Sequence, residues 1–554
     1  MSTDDESFHP LGEEWEDELE SMLDDTEYDS ELGMEMAQDA MRVTKGELSE
    51  AEFHDRYHEE VMEEFGEDER PTKEAYEAAQ EEAKGTASRM LDKFDGDGDE
   101  TRRETMKKMG VGAAAVGMGA FGTVAEGPEN SIAEEGGHGG PRQETTEESD
   151  TQWGMTIDLE RCDGCLSCMT ACTEENDIDK GVNWMYVMAW EDENHSGPGE
   201  EGGTDVYSDF NLGSDYNMLV RPCQHCTDAP CEKVCPTTAR HTRDKDGIVL
   251  TDYDVCIGCR YCQVACPYGV NYFQWDEPDV AYEDIDGLEN PEDPDEITHA
   301  EYEHGERWVD SRAPRGVMSK CTFCPSMQDG RQGEEHVGTT ACERACPPNA
   351  IQFGNVNDER SDPSQHREHP SKSRAIVHLT NGTESPKSAP TADQIDSALS
   401  QGDDLETAIE QIDGLTEDIL AVMKSIEMVS EGLEPGDEEN NSILQNEQAI
   451  ISAVETFQQY VDLDTEEAYD TLGLGDGSEQ DVQMRLKQYT GDPSSFQLLE
   501  DVGTNPNVTY LGQQPGPEAH QVEGPTKYED AGLLDKRQEY LDEETVGRID
   551  GVSL

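Results

Sequence analysis

The sequence predicts an α+β fold: small sheets and short helices packed around cysteine-bearing loops, flanked by acidic extensions that are mostly helical or disordered. Three observations carry this reading. The 16 cysteines fall into four groups of four. Short β-like runs alternate with those groups between residues 152 and 357. Only 33% of the 554 residues are hydrophobic while 30% are charged, so much of the length lies outside any large core.

The charge balance is one-sided, with 128 Asp and Glu against 39 Lys and Arg and a formal net charge of -89. The acids are spread through all parts of the chain, as on a surface adapted to high salt, where the Debye length shrinks to ~3 Å at 1 M and self-repulsion is short-ranged. A phosphate backbone would be repelled, which excludes nucleic acid as a partner class.

Residues 1–100 hold no cysteine and read as an acidic helical extension. Ser49 and Glu52 form a capping-box pattern, and Leu48 and Phe53 a hydrophobic staple. Phe53, Tyr57, Val61 and Phe65 then recur at helical spacing, so a small helical hairpin that docks on a neighbour is expected, without chemistry of its own. At 101–125, Arg102-Arg103, a basic flank and a Gly/Ala-rich apolar run resemble a twin-arginine export signal, the route for proteins already folded around their cofactors. Such a signal normally sits at the extreme N-terminus; a start at Met90 would restore that geometry. The run is too short and glycine-rich for a membrane span. Residues 126–151 read as a flexible linker.

In the cysteine-rich part, 152–357, the β-like runs are Met155-Thr156-Ile157, Ile248-Val249-Leu250 and Ile351-Gln352-Phe353. The third cysteine group, CIGCRYCQVACP, places Cys256, Cys259, Cys262 and Cys266 at the C-x2-C-x2-C-x3-C-P spacing with which bacterial ferredoxins cage iron-sulfur clusters. The others are Cys162, Cys165, Cys168 and Cys172; Cys223, Cys226, Cys231 and Cys235; and Cys321, Cys324, Cys342 and Cys346. Soft thiolates select iron-sulfur clusters or zinc. Structural zinc takes C-x2-C pairs well apart, often with histidine, whereas here proline follows the fourth cysteine as Pro236, Pro267 and Pro347, and among the closely spaced motifs His225 is the one histidine. Disulfides are disfavoured because export after folding lets clusters be inserted first.

In two-cluster ferredoxins the fourth cysteine of each run ligates the other cluster. Pairing the second and third motifs gives one cluster on Cys223, Cys226, Cys231 and Cys266 and another on Cys256, Cys259, Cys262 and Cys235. The first and fourth motifs then give Cys162, Cys165, Cys168 with Cys346, and Cys321, Cys324, Cys342 with Cys172. Four [4Fe-4S] clusters are expected. Arg260 and Lys320 are expected near clusters, and motif backbone amides are expected to donate to sulfur. Two acidic inserts, 192–216 and 276–313, are expected on the surface.

Beyond the cysteines, 358–390 read as a polar linker. Residues 391–485 read as a helical hairpin, its apolar positions running from Leu405 to Ile426 and from Ile450 to Val461. Residues 486–554 read as an extended tail lying along a surface.

The run from Arg221 to Phe273, followed by KCTFC and ACERACPPNAIQFG, resembles the four-cluster iron-sulfur (beta) subunits of membrane-bound oxidoreductases. These include the dimethyl sulfoxide and polysulfide reductase beta subunits, the ferredoxin-like part of alternative complex III and the iron-sulfur subunits of exported hydrogenases, here in an acidic, haloarchaeal-type version. FQLLEDVGTNPNVTYLG, residues 496–512, is similar to the segment following the last cluster in some of these proteins. The resemblance implies tandem ferredoxin-like 4Fe-4S modules that relay electrons between a multi-span, quinone-handling membrane subunit and a catalytic subunit, usually carrying a molybdopterin. The implied location is peripheral, on the outer face of the cytoplasmic membrane. No active site of its own is expected, since neither a dinucleotide fingerprint nor a radical-type cysteine triplet is present. A soluble polyferredoxin or a hydrogenase iron-sulfur subunit are the alternative readings.

Overall fold

The structure, a computed structural model, describes residues 13–80, 151–192, 216–276, 300–435 and 441–534, apart from 25, 27, 302–306, 310, 381–388, 401, 403, 517 and 518. The twin-arginine-type segment, residues 126–150 and most of both acidic inserts lie outside the described residues.

Three helices come first: α1 (Glu13–Asp24), α2 (Ser30–Thr44) and α3 (Glu50–Phe65). The capping box at the start of α3 forms as its sequence predicts: the Ser49 hydroxyl accepts from the Glu52 N–H, and the Glu52 carboxylate accepts from the Ser49 N–H. Gly66, left-handed at φ 79, ends the helix. The apolar face of these helices packs against Tyr261, Val264 and Ala265 of the cysteine-rich part. Contact is close, for a Cβ on Gly33 would lie 2.6 Å from the Tyr261 ring. The Tyr261 hydroxyl donates to the Asp29 carbonyl at 2.7 Å. The neighbour on which these helices dock is therefore their own chain.

The cysteine-rich part contains β1 (Trp153–Asp158), α4 (Ser167–Glu175), β2 (Tyr186–Glu191), β3 (Asn217–Arg221), α5 (Pro230–Lys233), β4 (Arg240–Thr242), β5 (Val249–Thr251) and α6 (Tyr261–Val264). It continues with β6 (Tyr272–Phe273), β7 (Ala300–Glu301), β8 (Arg307–Trp308), β9 (Met318–Ser319), α7 (Pro325–Gln328), α8 (Ala341–Arg344) and β10 (Ile351–Asn355). Then come α9 (Asp362–Glu368), α10 (Pro370–Thr380), α11 (Ala392–Ala398), α12 (Leu405–Gln411), α13 (Glu417–Val429), α14 (Ser442–Gln458), α15 (Glu466–Leu472) and α16 (Glu479–Thr490). The last strands are β11 (Ser495–Phe496), β12 (Val508–Leu511) and β13 (His520–Val522).

Strand β1 is central to a four-stranded sheet in the order β10-β1-β12-β11. It runs antiparallel to β10, with Ile157 opposite Ile351, and parallel to β12, with Ile157 opposite Tyr510. Because strand side chains alternate, Met155 and Ile157 join the core that holds most of the cysteines. Thr156 and Asp158 face the other way. There the Thr156 hydroxyl donates to the Pro363 carbonyl at 2.7 Å, and Asp158 receives the guanidinium of Arg374 from α10, whose Nε lies at 2.5 Å. The second sheet, β13-β2-β3, carries Trp190 and Leu219 into the same core.

Several sequence expectations are corrected here. The polar linker at 358–390 contains α9 and α10, and charged side chains of α10 are buried because they meet carboxylates from elsewhere in the chain. Lys372 lies 3.3 Å from Glu447, and the Arg374 Nη1 donates to Glu160 at 2.9 Å. Residues 391–485 form five complete helices and the start of a sixth around a core of their own, with Ile395, Ala408, Val422, Val454 and Leu472 buried, rather than a two-helix hairpin. Short helices with one or two apolar positions each give too weak a period to read singly. The tail does not simply lie along a surface, since every residue of β12 is buried. Val309, Ser311, Arg312 and Ala313, at the end of the second acidic insert, are also buried.

Burial pushes the Asp158 carboxyl up, but the Arg374 charge, the His366 ring 3.5 Å away and the hydrogen bonds from Arg374 overcome this and hold it well below its ordinary value of 3.8. The stability this contributes is complete above that ordinary value and is lost as pH falls through the depressed one. Arg374→Met, which leaves Asp158 buried without its guanidinium, is expected to cost about 3–5 kcal/mol in denaturant unfolding at pH 7. The deficit is expected to narrow under acid conditions.

Candidate metal centres

All 16 cysteines are free thiols, and most are buried. They gather into four quartets, each completed by a cysteine from a different loop. In quartet A, burial and then the charges of Cys346 and Cys165 push the Cys162 thiol up, and Cys168 responds to Cys162, Cys346 and Cys165. In quartet B, Cys172 lies among Cys321, Cys324 and Cys342. All four line one small cavity of about 10 Å³, together with Met155, Trp184 and Phe323. In quartet C, burial raises Cys226, and Cys223, Cys231 and Cys266 add to the effect. In quartet D, Cys259 responds to Cys262, Cys235 and Cys256.

The quartets stand in series. Cys168 of the first feels Cys342 of the second, Cys321 of the second feels Cys223 of the third, and Cys231 of the third feels Cys262 of the fourth. Between the second and third, the ring of His225 stacks on Phe323 at 3.7 Å. The His225 Nδ1 accepts the Val249 N–H at 3.0 Å, so this histidine serves the backbone rather than a metal.

The loops share a local geometry. Two residues after the first cysteine of each motif stands a left-handed residue: Gly164, His225, Gly258 and Phe323, with φ between 41 and 71. That turn aims the N–H of this residue back at the preceding sulfur. The His225 N–H lies 3.5 Å from the Cys223 Sγ, and those of Gly164, Gly258 and Phe323 restrain the burial-driven rise at Cys162, Cys256 and Cys321. Further amides approach the fourth cysteines, with Arg240 N 3.3 Å from the Cys235 Sγ and Ala350 N 3.2 Å from the Cys346 Sγ.

A buried quartet of thiols is a poor place for four negative charges. Burial pushes most of these thiols up, Cys256 and Cys342 to about 12, so the deprotonated set requires compensating cations at its centre. Soft sulfur donors in fours, most of them buried and with N–H groups directed at them, fit iron-sulfur clusters.

Lys320, expected near such a site, is buried beside Cys321. Its ammonium donates to the Cys321 carbonyl at 2.9 Å and to that of Val249, and its charge pulls the Cys321 thiol down. Arg260 serves packing instead. Its guanidinium lies over Phe273 and Trp275 at 4.0 and 4.1 Å, and Nη1 donates to the Met22 carbonyl at 2.9 Å, tying α1 to the loop. Sequence reasoning missed Arg240, which is buried between quartets C and D. Its Nη2 lies 3.4 Å from the Cys262 Sγ and 2.7 Å from the Asn271 Oδ1, and its charge draws down the thiols of Cys231, Cys235 and Cys266. Its position five residues past Cys235, in TTAR, is the only sequence signal available.

Comparison with known proteins adds to this geometry. Residues 9–73 match the family model described as the N-terminal region of 4Fe-4S ferredoxin iron-sulfur binding, a stretch in which the sequence alone suggested no relative. Residues 214–282 match the 4Fe-4S dicluster domain. Over 219 residues the chain is 38% identical to a protein of Halobacterium salinarum named as an iron-sulfur subunit of dimethyl sulfoxide reductase, covering 39% of this chain and 71% of that one. It is 34% identical over 239 residues to the menaquinone reductase iron-sulfur cluster-binding subunit of Nitratidesulfovibrio vulgaris, with coverage of 39% and 79%. It is likewise 34% identical over 223 residues to the arsenate respiratory reductase iron-sulfur subunit of a Shewanella species, with coverage of 38% and 85%.

The left-handed turn can be tested where it is tightest. Gly258 has φ +71, and a Cβ there would come within 2.0 Å of the Gly316 carbonyl oxygen. Gly258→Ala is expected to cost at least about 1–2 kcal/mol from the backbone conformation alone. Iron retained per chain after anaerobic purification should fall, while Gly269→Ala, whose Cβ would meet nothing within 4 Å, should retain more iron.

Proposed function

The chain belongs to the family of 4Fe-4S iron-sulfur subunits of oxidoreductases and acts as an electron relay for a catalytic partner subunit; from this premise we propose that it carries four [4Fe-4S] clusters in series. The observation that carries the reading is the set of four buried thiol quartets, each adjoining the next. The proposed ligand sets are Cys162, Cys165, Cys168, Cys346; Cys321, Cys324, Cys342, Cys172; Cys223, Cys226, Cys231, Cys266; and Cys256, Cys259, Cys262, Cys235.

When bound, such clusters supply one-electron exchange. The residues of this chain do the rest. Packing buries most of the thiols, the loop amides offer hydrogen bonds to sulfur, and Lys320 and Arg240 place fixed positive charge beside chosen quartets. A buried cation stabilises the more negative, reduced state and so raises the potential of the centre beside it.

The proposed partners are a catalytic subunit, molybdopterin-bearing as the sequence resemblance implies, and a multi-span membrane subunit that handles quinone. No described helix is long and apolar enough to cross a membrane, in keeping with a peripheral position. Export by the twin-arginine route to the outer face of the cytoplasmic membrane follows from Arg102-Arg103 and the apolar run after them. A high-salt habitat accounts for the net charge of -89.

Anaerobically purified protein is expected to hold about 16 iron atoms per chain. Cys266→Ala is expected to bring this to about 12, removing the cluster of Cys223, Cys226 and Cys231 while sparing that of Cys256, Cys259 and Cys262. A value of eight irons in the native chain would refute the four-cluster reading.

In potentiometric titrations followed by electron paramagnetic resonance, Arg240→Leu is expected to lower the midpoints of two of the four centres and leave the other two in place. Detergent extraction of native membranes is expected to yield the chain with a large catalytic subunit and a multi-span partner. Recovery of the chain alone would refute the subunit reading.

A further inference from the structure

The N-terminal helices carry donors that the electron relay does not use. On α3, His54 and His58 are four residues apart, which places both imidazoles on one face of the helix, their rings 5.4 Å apart. The left-handed Gly66 then turns the chain back, and Asp68 returns to the same face. One donor atom from each of His54, His58 and Asp68 lies within 4.8 Å of the others. We propose that these three residues form a zinc site, separate from the thiol quartets, that fastens the segment following α3 to that helix.

The spacing suits the metal. Bonds of about 2.0–2.2 Å arranged tetrahedrally put ligand atoms about 3.4 Å apart. The His54 Nε2 is 3.5 Å from the Asp68 Oδ2, long for a hydrogen bond but matching that edge. The His58 Nδ1 is 2.9 Å from the same oxygen, so a bound ion needs only a small outward shift of the more exposed ring. Imidazole and carboxylate donors suit zinc, whereas the sulfur quartets suit iron clusters.

The surroundings are those of oriented ligands. The His54 Nδ1 is hydrogen bonded to the Thr72 hydroxyl at 3.1 Å, which fixes the ring and directs Nε2 inward. Asp68 is held by Arg70 through Nε at 2.8 Å and Nη2 at 2.7 Å, a fork that fixes the carboxylate plane, and Arg70 also donates to the His54 carbonyl at 3.1 Å. Arg70 offsets the carboxylate charge, so the field that favours a dication comes from the helix itself, which carries Glu50, Glu52, Asp55, Glu59, Glu60, Glu63 and Glu64.

His54 and Asp68 are buried, but the His58 side chain is 41% exposed. The ion would therefore be reached from that side, with a fourth position open to water. The site would also steady the docking of the helices: the Glu69 N–H, next to Asp68, donates to the Pro236 carbonyl at 3.2 Å, beside Cys235.

The test uses full-length, cluster-loaded protein, equilibrated anaerobically with zinc alone and then dialysed against a weak chelator. Elemental analysis is expected to find about one zinc per chain beside unchanged iron, and zinc-edge X-ray absorption a shell of nitrogen and oxygen only. His58→Ala, at the exposed ligand, is expected to weaken zinc binding at least about tenfold, since even outer partners of ligands are worth that much; His58→Asp is expected to restore part of it. Failure to retain zinc, retention unchanged by His58→Ala, or sulfur in the zinc shell would each overturn the site. Because iron content is read in the same samples, failure of the cluster reading would show separately.

Discussion

Each thiol quartet takes one sulfur from a loop other than its own, and the rest of the chain is arranged around that borrowing. A single C-x2-C-x2-C turn can aim three sulfurs at one point, but its fourth cysteine follows on a short helix and points elsewhere. Cys172 leaves its loop by way of α4 to lie with Cys321, Cys324 and Cys342. Cys266 leaves by way of α6 to lie with Cys223 and Cys226. Loops that must share ligands cannot drift apart. The strands between them are short because they need only hold that spacing, and the left-handed residues at Gly164, His225, Gly258 and Phe323 are tolerated because the sulfur-directed amides need them.

Around this centre the chain adds two helical bodies by different physics. The N-terminal helices dock through apolar burial against Tyr261, Val264 and Ala265. The bundle after β10 docks through charge, with Arg374 reaching across to Asp158 at the end of the central strand. In a chain with so many acids a buried cation has ready partners, and Arg374, Lys372 and Lys424 each lie within 3.3 Å of at least one carboxylate oxygen. The acidic surface and the paired interior belong to one composition.

What could be read from the sequence follows from how local each signal is. The cysteine spacings are local, and they announced the loops and the α+β class; the exchange of fourth cysteines was expected from the rule of two-cluster ferredoxins. The capping box at Ser49 was also local. The linker between β10 and the bundle was misread because Lys372 and Arg374 look solvent-seeking until their carboxylate partners, 75 or more residues away, are in place. Strand β12 was hidden for a similar reason, since its pairing with β1 is parallel and spans most of the chain. Arg240 carries no motif. The histidine pair on α3 had the right spacing, yet its third member arrives only through the turn at Gly66.

The place of β12 beside β1 bears on how the molecule is made. These neighbours are separated by about 350 residues, which at 5–20 residues per second is roughly 20–70 s of synthesis. Quartet C needs nothing beyond Cys266, and quartet D nothing beyond Cys262. Quartets A and B both wait for the fourth motif, and the central strand waits longer still, for Val508–Leu511. The part of the cysteine-rich region that is translated first is thus the last to close. Until it does, the first loop is a set of exposed thiols on an unfinished sheet, a state that the ribosome and its attendants, rather than the fold, must protect.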